Sequence, residues 1–211
     1  MKKSFIIISL IILASFAISA YLYPQMPDRM ISHWGINGEA NGYMGKFWGL
    51  FLMPVISLAV FLLLILIPKL DPLKANVEKF KKQFNNFIVF IILFFFYIYL
   101  LTVFWNLGSR FDMNRAIAPA FGILFYYCGV LIESAKKNWF IGIRTPWTLS
   151  SEEVWDKTHK LGGKLFKITG AISFLGLFFP RLAFLFILVP VLFSTLYVIV
   201  YSYFEYKKVI K

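Results

Sequence analysis

Long apolar runs separated by short polar segments dominate the hydrophobic pattern of this 211-residue chain. A bilayer core about 30 Å thick needs roughly 20 helical residues, with about 17 as a practical minimum. Backbone polar groups in lipid must be satisfied within the segment, so each run predicts a helix rather than an open strand. The six runs are Phe5–Tyr23, Phe47–Ile67, Phe87–Leu107, Ala116–Ile132, Leu165–Phe179 and Leu182–Phe204. We therefore predict an all-α membrane protein with six transmembrane helices.

Two of these runs need a separate argument. Leu165–Phe179 is short and contains Lys167, but a lysine can extend its ammonium group to the headgroup layer, so we count this run as the fifth span. The first run follows Met1-Lys2-Lys3 and ends near small residues, which also resembles a secretory signal peptide. It is longer than a usual signal core, and we interpret it as the first span.

Composition and charge agree with a membrane protein. Of the residues, 60% are hydrophobic and 15% are charged, against about half and about a quarter in soluble domains. Six spans place 17 of the 22 Lys and Arg residues on the side of the N-terminus and 5 on the other. Because cytoplasmic segments carry the excess of basic residues, we predict that both termini are cytoplasmic. This bias and anionic membrane lipids account for the net charge of +12, so we expect no direct nucleic-acid partner.

Two connections are long enough to carry function, and they define the predicted organisation. Residues 1–67 form an N-terminal helix pair with an extracytoplasmic loop at 23–46. Residues 68–211 form a four-helix region with a cytoplasmic loop at 134–164. The outer loop contains Asn37-Gly38 and Asn41-Gly42, which favour tight turns and predict a small hairpin.

The cytoplasmic loop contains a turn and a helix start. Arg144-Thr145-Pro146-Trp147 predicts a turn, because the residue before a proline is disfavoured in a helix. Ser150 and Glu153 have capping-box spacing, so an amphipathic helix is predicted from near Ser151 to Leu161, on the inner membrane surface between the fourth and fifth spans. Its charges suggest i,i+4 pairs, Glu153 with Lys157 and Asp156 with Lys160. Gly162-Gly163 would allow a bend into the bilayer or the close approach of another helix.

We find no set of residues typical of a catalytic or metal site. His33 and His159 fall on opposite sides of the membrane in this topology, and Cys128 has no partner cysteine. The spans are nearly free of ionisable groups, which disfavours an ion-coupled pump or a channel. We expect no enzyme activity, metal or cofactor. A small lipid or peptide transporter or flippase, and a membrane-embedded enzyme, remain as alternatives.

One long motif carries a resemblance. The pattern N-x-x-I-G-I-R-T-P-W-T-L-x-x-E-x-V-W, here Asn138–Trp155, resembles the signature of the SdpI family of bacterial immunity membrane proteins. The outer loop, with Pro27, His33-Trp34, Gly38, Gly42, Tyr43 and Lys46, is similar to the uncharacterised N-terminal domain that commonly accompanies that family. The order, the spacing and the six-helix outline agree over nearly the whole chain.

The resemblance implies a multi-pass membrane protein that protects its host from a self-made killing peptide. In the best-known member, the family protein also holds a transcriptional repressor at the membrane. A secreted toxin peptide and a cytoplasmic repressor are thus the implied partners, and no catalytic activity is implied.

Two sets of candidate site residues follow. The toxin-sensing hypothesis names four residues in the outer loop, although these could simply anchor the helix ends. The docking hypothesis places a partner surface at the inner motif, with His159 and Lys160 exposed, although the same residues could instead brace the fourth helix against the fifth. The outer residues are His33, Trp34, Tyr43 and Lys46, and the inner ones are Arg144, Thr145, Pro146, Trp147, Thr148, Glu153, Trp155, His159 and Lys160.

Overall fold

The computed structural model describes residues 2–210, and most of them lie in helices. The helices are α1 (Lys2–Leu22), α2 (Lys46–Leu70), α3 (Lys74–Lys79), α4 (Lys81–Asn106), α5 (Met113–Ser134), α6 (Pro146–Ser150), α7 (Glu152–Ser173) and α8 (Ala183–Val209). The strands β1 (Arg29–Trp34) and β2 (Ala40–Gly45) form an antiparallel hairpin between α1 and α2. Short 3-10 turns lie at Tyr23–Gln25, Phe174–Leu177 and Pro180–Leu182.

Within the described residues, five segments are long and apolar enough to cross a membrane. They match the first four predicted spans and the sixth. Each contains a long, predominantly apolar stretch, as a helix in lipid requires. The segments are Ser4–Gln25, Lys46–Leu70, Lys81–Asn106, Met113–Ser134 and Pro180–Val209. The chain is therefore an integral membrane protein.

The predicted separation of a surface helix from the fifth span is wrong, because α7 is one continuous helix. The sequence allows Gly162-Gly163 either to bend the helix or to let another segment approach closely. The structure shows the close approach. A Cβ atom on Gly163 would lie 2.5 Å from Cβ of Glu133 in α5, and one on Gly162 would lie 2.4 Å from Cδ1 of Ile143. The two glycines thus make room for neighbouring segments while the helix stays regular.

Helices α5 and α7 run antiparallel along paired glycines. A Cβ atom on Gly129 would lie 2.6 Å from the carbonyl oxygen of Gly163, and one on Gly170 would lie 2.6 Å from that of Gly122. The two glycines on each helix are about two helical turns apart, so one face of each helix makes both contacts. Small residues let helix backbones approach this closely. As a result, α7 lies along a helix that is itself a candidate membrane span.

One hydrophobic core connects the N-terminal helices to the rest of the chain. Ile8 of α1, Phe84 of α4 and Trp155 of α7 are buried in the same cluster. At the other end of the bundle, Met30 of the hairpin packs with Leu50 of α2 and with residues of α4. The hairpin and the inner motif therefore lie at opposite ends of a single packed bundle, and the names outer and inner below follow the predicted orientation.

Candidate functional sites at the two ends of the bundle

The outer loop folds as the predicted hairpin, with Asn37-Gly38 at its turn, whereas the second predicted turn pair, Asn41-Gly42, lies inside β2. β1 and β2 pair antiparallel, beginning with Arg29 opposite Gly45. At the turn, Gly38 has a φ of +79°, and its N–H donates to the carbonyl of Gly35 at 2.8 Å. Residues with a Cβ atom rarely adopt that φ, so the turn requires a glycine here. We call residues 29–45 the outer hairpin.

Two asparagines fix the outer hairpin to the ends of the transmembrane helices. Oδ1 of Asn106 in α4 accepts from the N–H of Ile31 at 2.8 Å, and its Nδ2 donates to the carbonyl of Ile31 at 2.9 Å. In α5, Nδ2 of Asn114 donates to the carbonyl of Ile36 at 2.8 Å. Because an amide side chain satisfies both polar groups of one strand residue, the hairpin has a defined position on the bundle.

Below the hairpin, Trp34 packs edge-on against Trp105, with ring centroids 5.6 Å apart. A cavity of about 290 Å³ separates the hairpin from α2, α4 and α5. Its wall is mainly apolar and rich in methionine, a flexible side chain that adapts to irregular partners. The lining includes Trp34, Met44, Trp48, Met53, Met113 and Ile117. Trp34 is therefore part of the packing beneath the hairpin.

The other predicted outer residues differ in their surroundings. Nδ1 of the exposed His33 lies 2.6 Å from Oδ1 of Asn41 on the facing strand. Nζ of Lys46 lies 2.9 Å from Asp28. Tyr43 is 54% exposed. His33 and Lys46 thus support the hairpin, while Tyr43 presents a free aromatic surface.

At the other end, Asn138 organises the first turn of the inner motif, Asn138–Trp155. This side chain is fully buried. Its Oδ1 accepts from the N–H groups of Phe140 and Ile141 at 2.9 and 2.6 Å, and its Nδ2 donates to the carbonyls of Lys136 and Ile141 at 2.8 Å. All of its hydrogen-bonding positions are used within the loop, as a buried amide requires.

Asp71 connects this loop to the N-terminal region. The side chain is 2% exposed, and its two oxygens accept from the N–H groups of Leu73 and Trp139 at 2.7 and 2.9 Å. Nearby, Nδ2 of Asn76 donates to the carbonyl of Lys137 at 2.9 Å. Asp71 is not among the predicted site residues, because a lone acidic residue in a short connection gives no sign of so distant a contact.

The threonines of the motif form a reciprocal cap at the start of α6. The side chain of Thr145 accepts from the N–H of Thr148 at 3.2 Å, and that of Thr148 accepts from the N–H of Thr145 at 2.9 Å. Pro146 occupies the first helical position, where a missing N–H has no cost. The predicted turn at Arg144–Trp147 thus leads directly into a one-turn helix.

Helix α6 is held against α8 by a polar contact and an aromatic contact. Oγ1 of Thr145 lies 3.1 Å from Oγ of Ser202. The rings of Trp147 and Tyr203 meet edge-on with centroids 5.2 Å apart. Tryptophan and tyrosine concentrate at membrane–water interfaces, so a pair of this kind suits headgroup depth.

The predicted capping box of Ser150 and Glu153 is not the one that forms. Ser151 is the N-cap of α7 and accepts from the N–H of Val154. Glu153 instead pairs with Lys157 at 2.8 Å, which confirms one of the two predicted i,i+4 pairs.

The expected exposure of His159 is wrong. His159 is 1% exposed and Trp155 is fully buried, and their rings stack with centroids 3.9 Å apart. Nε1 of Trp155 donates to the carbonyl of Ala135 at 2.8 Å. The reason is the position of the 138–143 segment, which covers the helix face that the sequence pattern assigns to water. These two side chains brace α7 against the end of α5.

Hydrogen bonding fixes the protonation state of His159. The N–H of Ile143 donates to Nε2 at 2.9 Å, so Nε2 carries no proton, and Nδ1 donates to the carbonyl of Trp155 at 2.8 Å. Burial lowers the pKa of His159 to about 4, although the bond to the Trp155 carbonyl acts in the opposite direction. The imidazole is therefore neutral at neutral pH.

The charged side chains among the predicted inner residues remain at the surface. Arg144 is exposed, and its Nη1 donates to the carbonyl of Trp139. Lys160 is exposed as predicted. The predicted partner of Lys160, Asp156, lies 3.4 Å from Lys136 instead. Of the predicted inner residues, a partner could thus reach the exposed Arg144, Pro146, Glu153 and Lys160.

Lys157 links two helices. Its Nζ lies 2.8 Å from Glu153 and 3.1 Å from Glu205 of α8. The hydrogen bonds to these two carboxylates raise the pKa of Lys157.

Within residues 2–210, no group of three or more His, Cys, Asp or Glu side chains is placed to hold a metal ion. The absence of a metal, a cofactor and a catalytic residue stays a prediction.

The bundle, the outer hairpin and the inner motif define a helical multi-pass membrane protein with an ordered, hydrogen-bonded loop structure at each end. Residues 134–202 match the model of the SdpI/YfhL protein family, and residues 10–58 match that of a domain of unknown function, DUF1648. The chain is also 30% identical over 209 residues to immunity protein SdpI of Bacillus subtilis (strain 168), covering 99% of this chain and 98% of that protein. It belongs to the SdpI family. No solved structure matches it.

Proposed function

We propose that this chain is an immunity protein that protects a bacterial membrane from a secreted killing peptide. The observation that carries the proposal is the similarity to an immunity protein over nearly the full length of both chains. Protection of this kind requires the protein to bind the peptide or keep it from the membrane, and no covalent bond has to be made. We therefore propose that the protein is not an enzyme. It also needs no cofactor.

The proposed membrane arrangement has six spans with both termini in the cytoplasm. The packing of α7 supports the predicted fifth span, because Gly163 and Gly170 of α7 lie against Gly129 and Gly122 of α5. A helix with this polar content can cross lipid when its polar face is covered by protein. Within the predicted fifth span, Thr169 and Ser173 are buried.

The outer hairpin is the proposed contact surface for the killing peptide. Tyr43 offers an exposed aromatic side chain, and the guanidinium of Arg29 lies 5.8 Å from the centre of its ring. Tyrosine and arginine contribute strongly to protein interfaces. The position of the hairpin is fixed by Asn106 and Asn114, so a peptide bound there would act on the ends of α4 and α5.

The proposed relay holds a cytoplasmic repressor at the inner end. The exposed Lys160 and Asp156 on α7 would contact that partner, while the buried His159 and Trp155 hold the helix in place. The binding of a repressor to this surface would then depend on how α5 packs against α7.

Co-culture tests the protective role. The chain would be expressed in Bacillus subtilis strain 168 from which the related SdpI had been removed, and that strain grown with unmodified strain 168. We expect survival with this chain and loss of survival with Tyr43→Ala at equal membrane abundance. Tyr21→Ala is the matched control, because Tyr21 is 74% exposed but lies in α1, outside the hairpin. Failure of the unaltered chain to rescue growth would contradict the proposal, and equal rescue by all three would remove the hairpin from it.

A further inference from the structure

We propose that the inner motif forms a binding site for an anionic phospholipid, with the headgroup phosphate on Arg144 and an acyl chain in the cavity beside it. The cavity has a volume of about 420 Å³ and lies among α4, α5, α7, α8 and the start of the inner motif. This volume is within the range of small-molecule sites, roughly 300–1,000 Å³.

The two ends of this cavity differ in chemistry. Its body is apolar, with Phe87, Phe166, Val198 and Ile199 in the wall. Its polar end consists of Arg144 and the backbone of the motif residues next to it. A ligand that fills it must therefore be amphipathic, with a hydrocarbon part and a charged or polar head.

The depth of Arg144 matches that of a phospholipid headgroup. Trp147 lies three residues after Arg144 and packs edge-on against Tyr203, and aromatic residues of these types concentrate at the membrane–water interface. Trp139, whose carbonyl accepts the Arg144 hydrogen bond, is 51% exposed. The guanidinium thus lies where lipid phosphates lie, and the cavity extends from it toward the hydrocarbon.

The charge of Arg144 is not neutralised by the protein. None of the ion pairs within residues 2–210 involves Arg144. One guanidinium nitrogen donates to the Trp139 carbonyl, which leaves further donors of the planar group for a second acceptor. Arginine binds phosphate through two parallel hydrogen bonds, so a phosphate oxygen pair suits this group.

The cavity is also accessible from the side on which lipid lies. Thr195 and Ile199 line it from the middle of α8, and both are exposed. An acyl chain could enter between the helices there without passing through water. An acidic peptide would instead have to place polar backbone against this apolar wall, which is unfavourable.

Native mass spectrometry of the full chain tests the site. The protein would be purified in micelles containing equal amounts of phosphatidylglycerol and phosphatidylcholine, and the retained lipid measured. We expect phosphatidylglycerol to be retained preferentially. Arg144→Gln should lower that retention about tenfold, because a charge-assisted hydrogen bond to the phosphate is lost. Arg144→Lys should retain part of the preference.

Two further variants separate the site from general effects. Thr195→Phe should reduce lipid retention by filling the cavity while Arg144 is unchanged, which keeps the test valid if Arg144→Gln does not fold. Arg110→Gln is the matched control, because Arg110 also donates to a carbonyl five residues earlier, that of Trp105, but lies outside this cavity. It should retain the wild-type preference.

Three results would overturn the proposal. They are equal retention of the two lipids by the wild type, equal losses in Arg144→Gln and Arg110→Gln, and undiminished retention by Thr195→Phe. Glycerol phosphate, which has no acyl chain, should not displace the lipid, and displacement by it would mean that the apolar cavity plays no part.

Discussion

The imidazole of His159 stacks on the indole of Trp155 with centroids 3.9 Å apart and 15° between the ring planes. The same imidazole accepts a hydrogen bond from the N–H of Ile143, so α7 and the inner motif are joined through an unprotonated nitrogen. Protonation of Nε2 would turn that acceptor into a donor directed at another donor. The contact therefore makes the stability of this end of the protein dependent on pH.

We expect the protein to lose stability as the pH falls from about 6.5 to about 4. The pKa of His159 is about 4 in the folded state and 6.5 when unfolded. The unfolded chain therefore binds more protons between these values, and the His159 contribution is fully present only above pH 6.5. The loss should approach about 3 kcal/mol at the acid end. Thermal unfolding in detergent across this range measures it.

The two histidines provide the control. His159→Gln should be less stable at neutral pH and should lack this part of the acid dependence. His33→Ala should keep it, because His33 is in the outer hairpin. The same acid dependence in His159→Gln as in the wild type would assign it to other groups.

The packing of α5 against α7 should not tolerate a methyl group. In Gly163→Ala, the new Cβ would lie 2.5 Å from Cβ of Glu133 and 2.8 Å from the carbonyl oxygen of Gly129, so the helices must move apart. We expect a loss of about 1–3 kcal/mol, seen as a lower melting temperature. Gly45→Ala is the control, since its Cβ would have no neighbour within 4 Å. Equal melting temperatures for both variants would contradict the close approach.

Asp71 should contribute more to stability than a surface acid does. Asp71→Ala leaves the N–H groups of Leu73 and Trp139 without their acceptor, at a cost of roughly 1–3 kcal/mol. Asp28→Ala removes an ion pair whose acidic side chain is 92% exposed, and should cost less than about 1 kcal/mol. Equal losses of stability in the two variants, measured by chemical or thermal unfolding, would argue against the role of Asp71.

Labelling of single cysteines tests the proposed topology. In a Cys128→Ala background, Glu39→Cys in the hairpin and Arg181→Cys beyond α7 should react with a membrane-impermeant maleimide in intact cells. Glu152→Cys at the start of α7 should react only after the cells are opened. These three positions are exposed, so none requires a buried side chain to change. Labelling of Glu152→Cys and Arg181→Cys from the same side would mean that α7 does not cross.

The sequence predicts those parts of the fold that depend on local pattern. Five spans follow from long apolar runs, and the turn of the hairpin follows from Asn37-Gly38. The course of α7 does not follow from local pattern. An amphipathic pattern shows that the two faces of a helix differ, but it does not show what covers each face. Its polar face, with Thr158 and His159, contacts protein rather than water. Asp71 and Trp139 lie far apart in the chain, and no local signal joins them.

The hydrogen bonds of Asp71 and Asn114 also limit which recombined forms of this gene would encode a stable protein. The two regions that match family models are each bonded to the segment between them, residues 59–133: Ile36 of the first region to Asn114, and Trp139 of the second to Asp71. A gene in which recombination had replaced one of these regions with that of a distant relative would have to restore its junction with the middle segment, and replacement of the middle segment would have to restore both. Exchange between relatives should therefore favour whole genes over single regions. A peptide specificity that arises in the outer hairpin should be inherited together with the inner motif of the same chain.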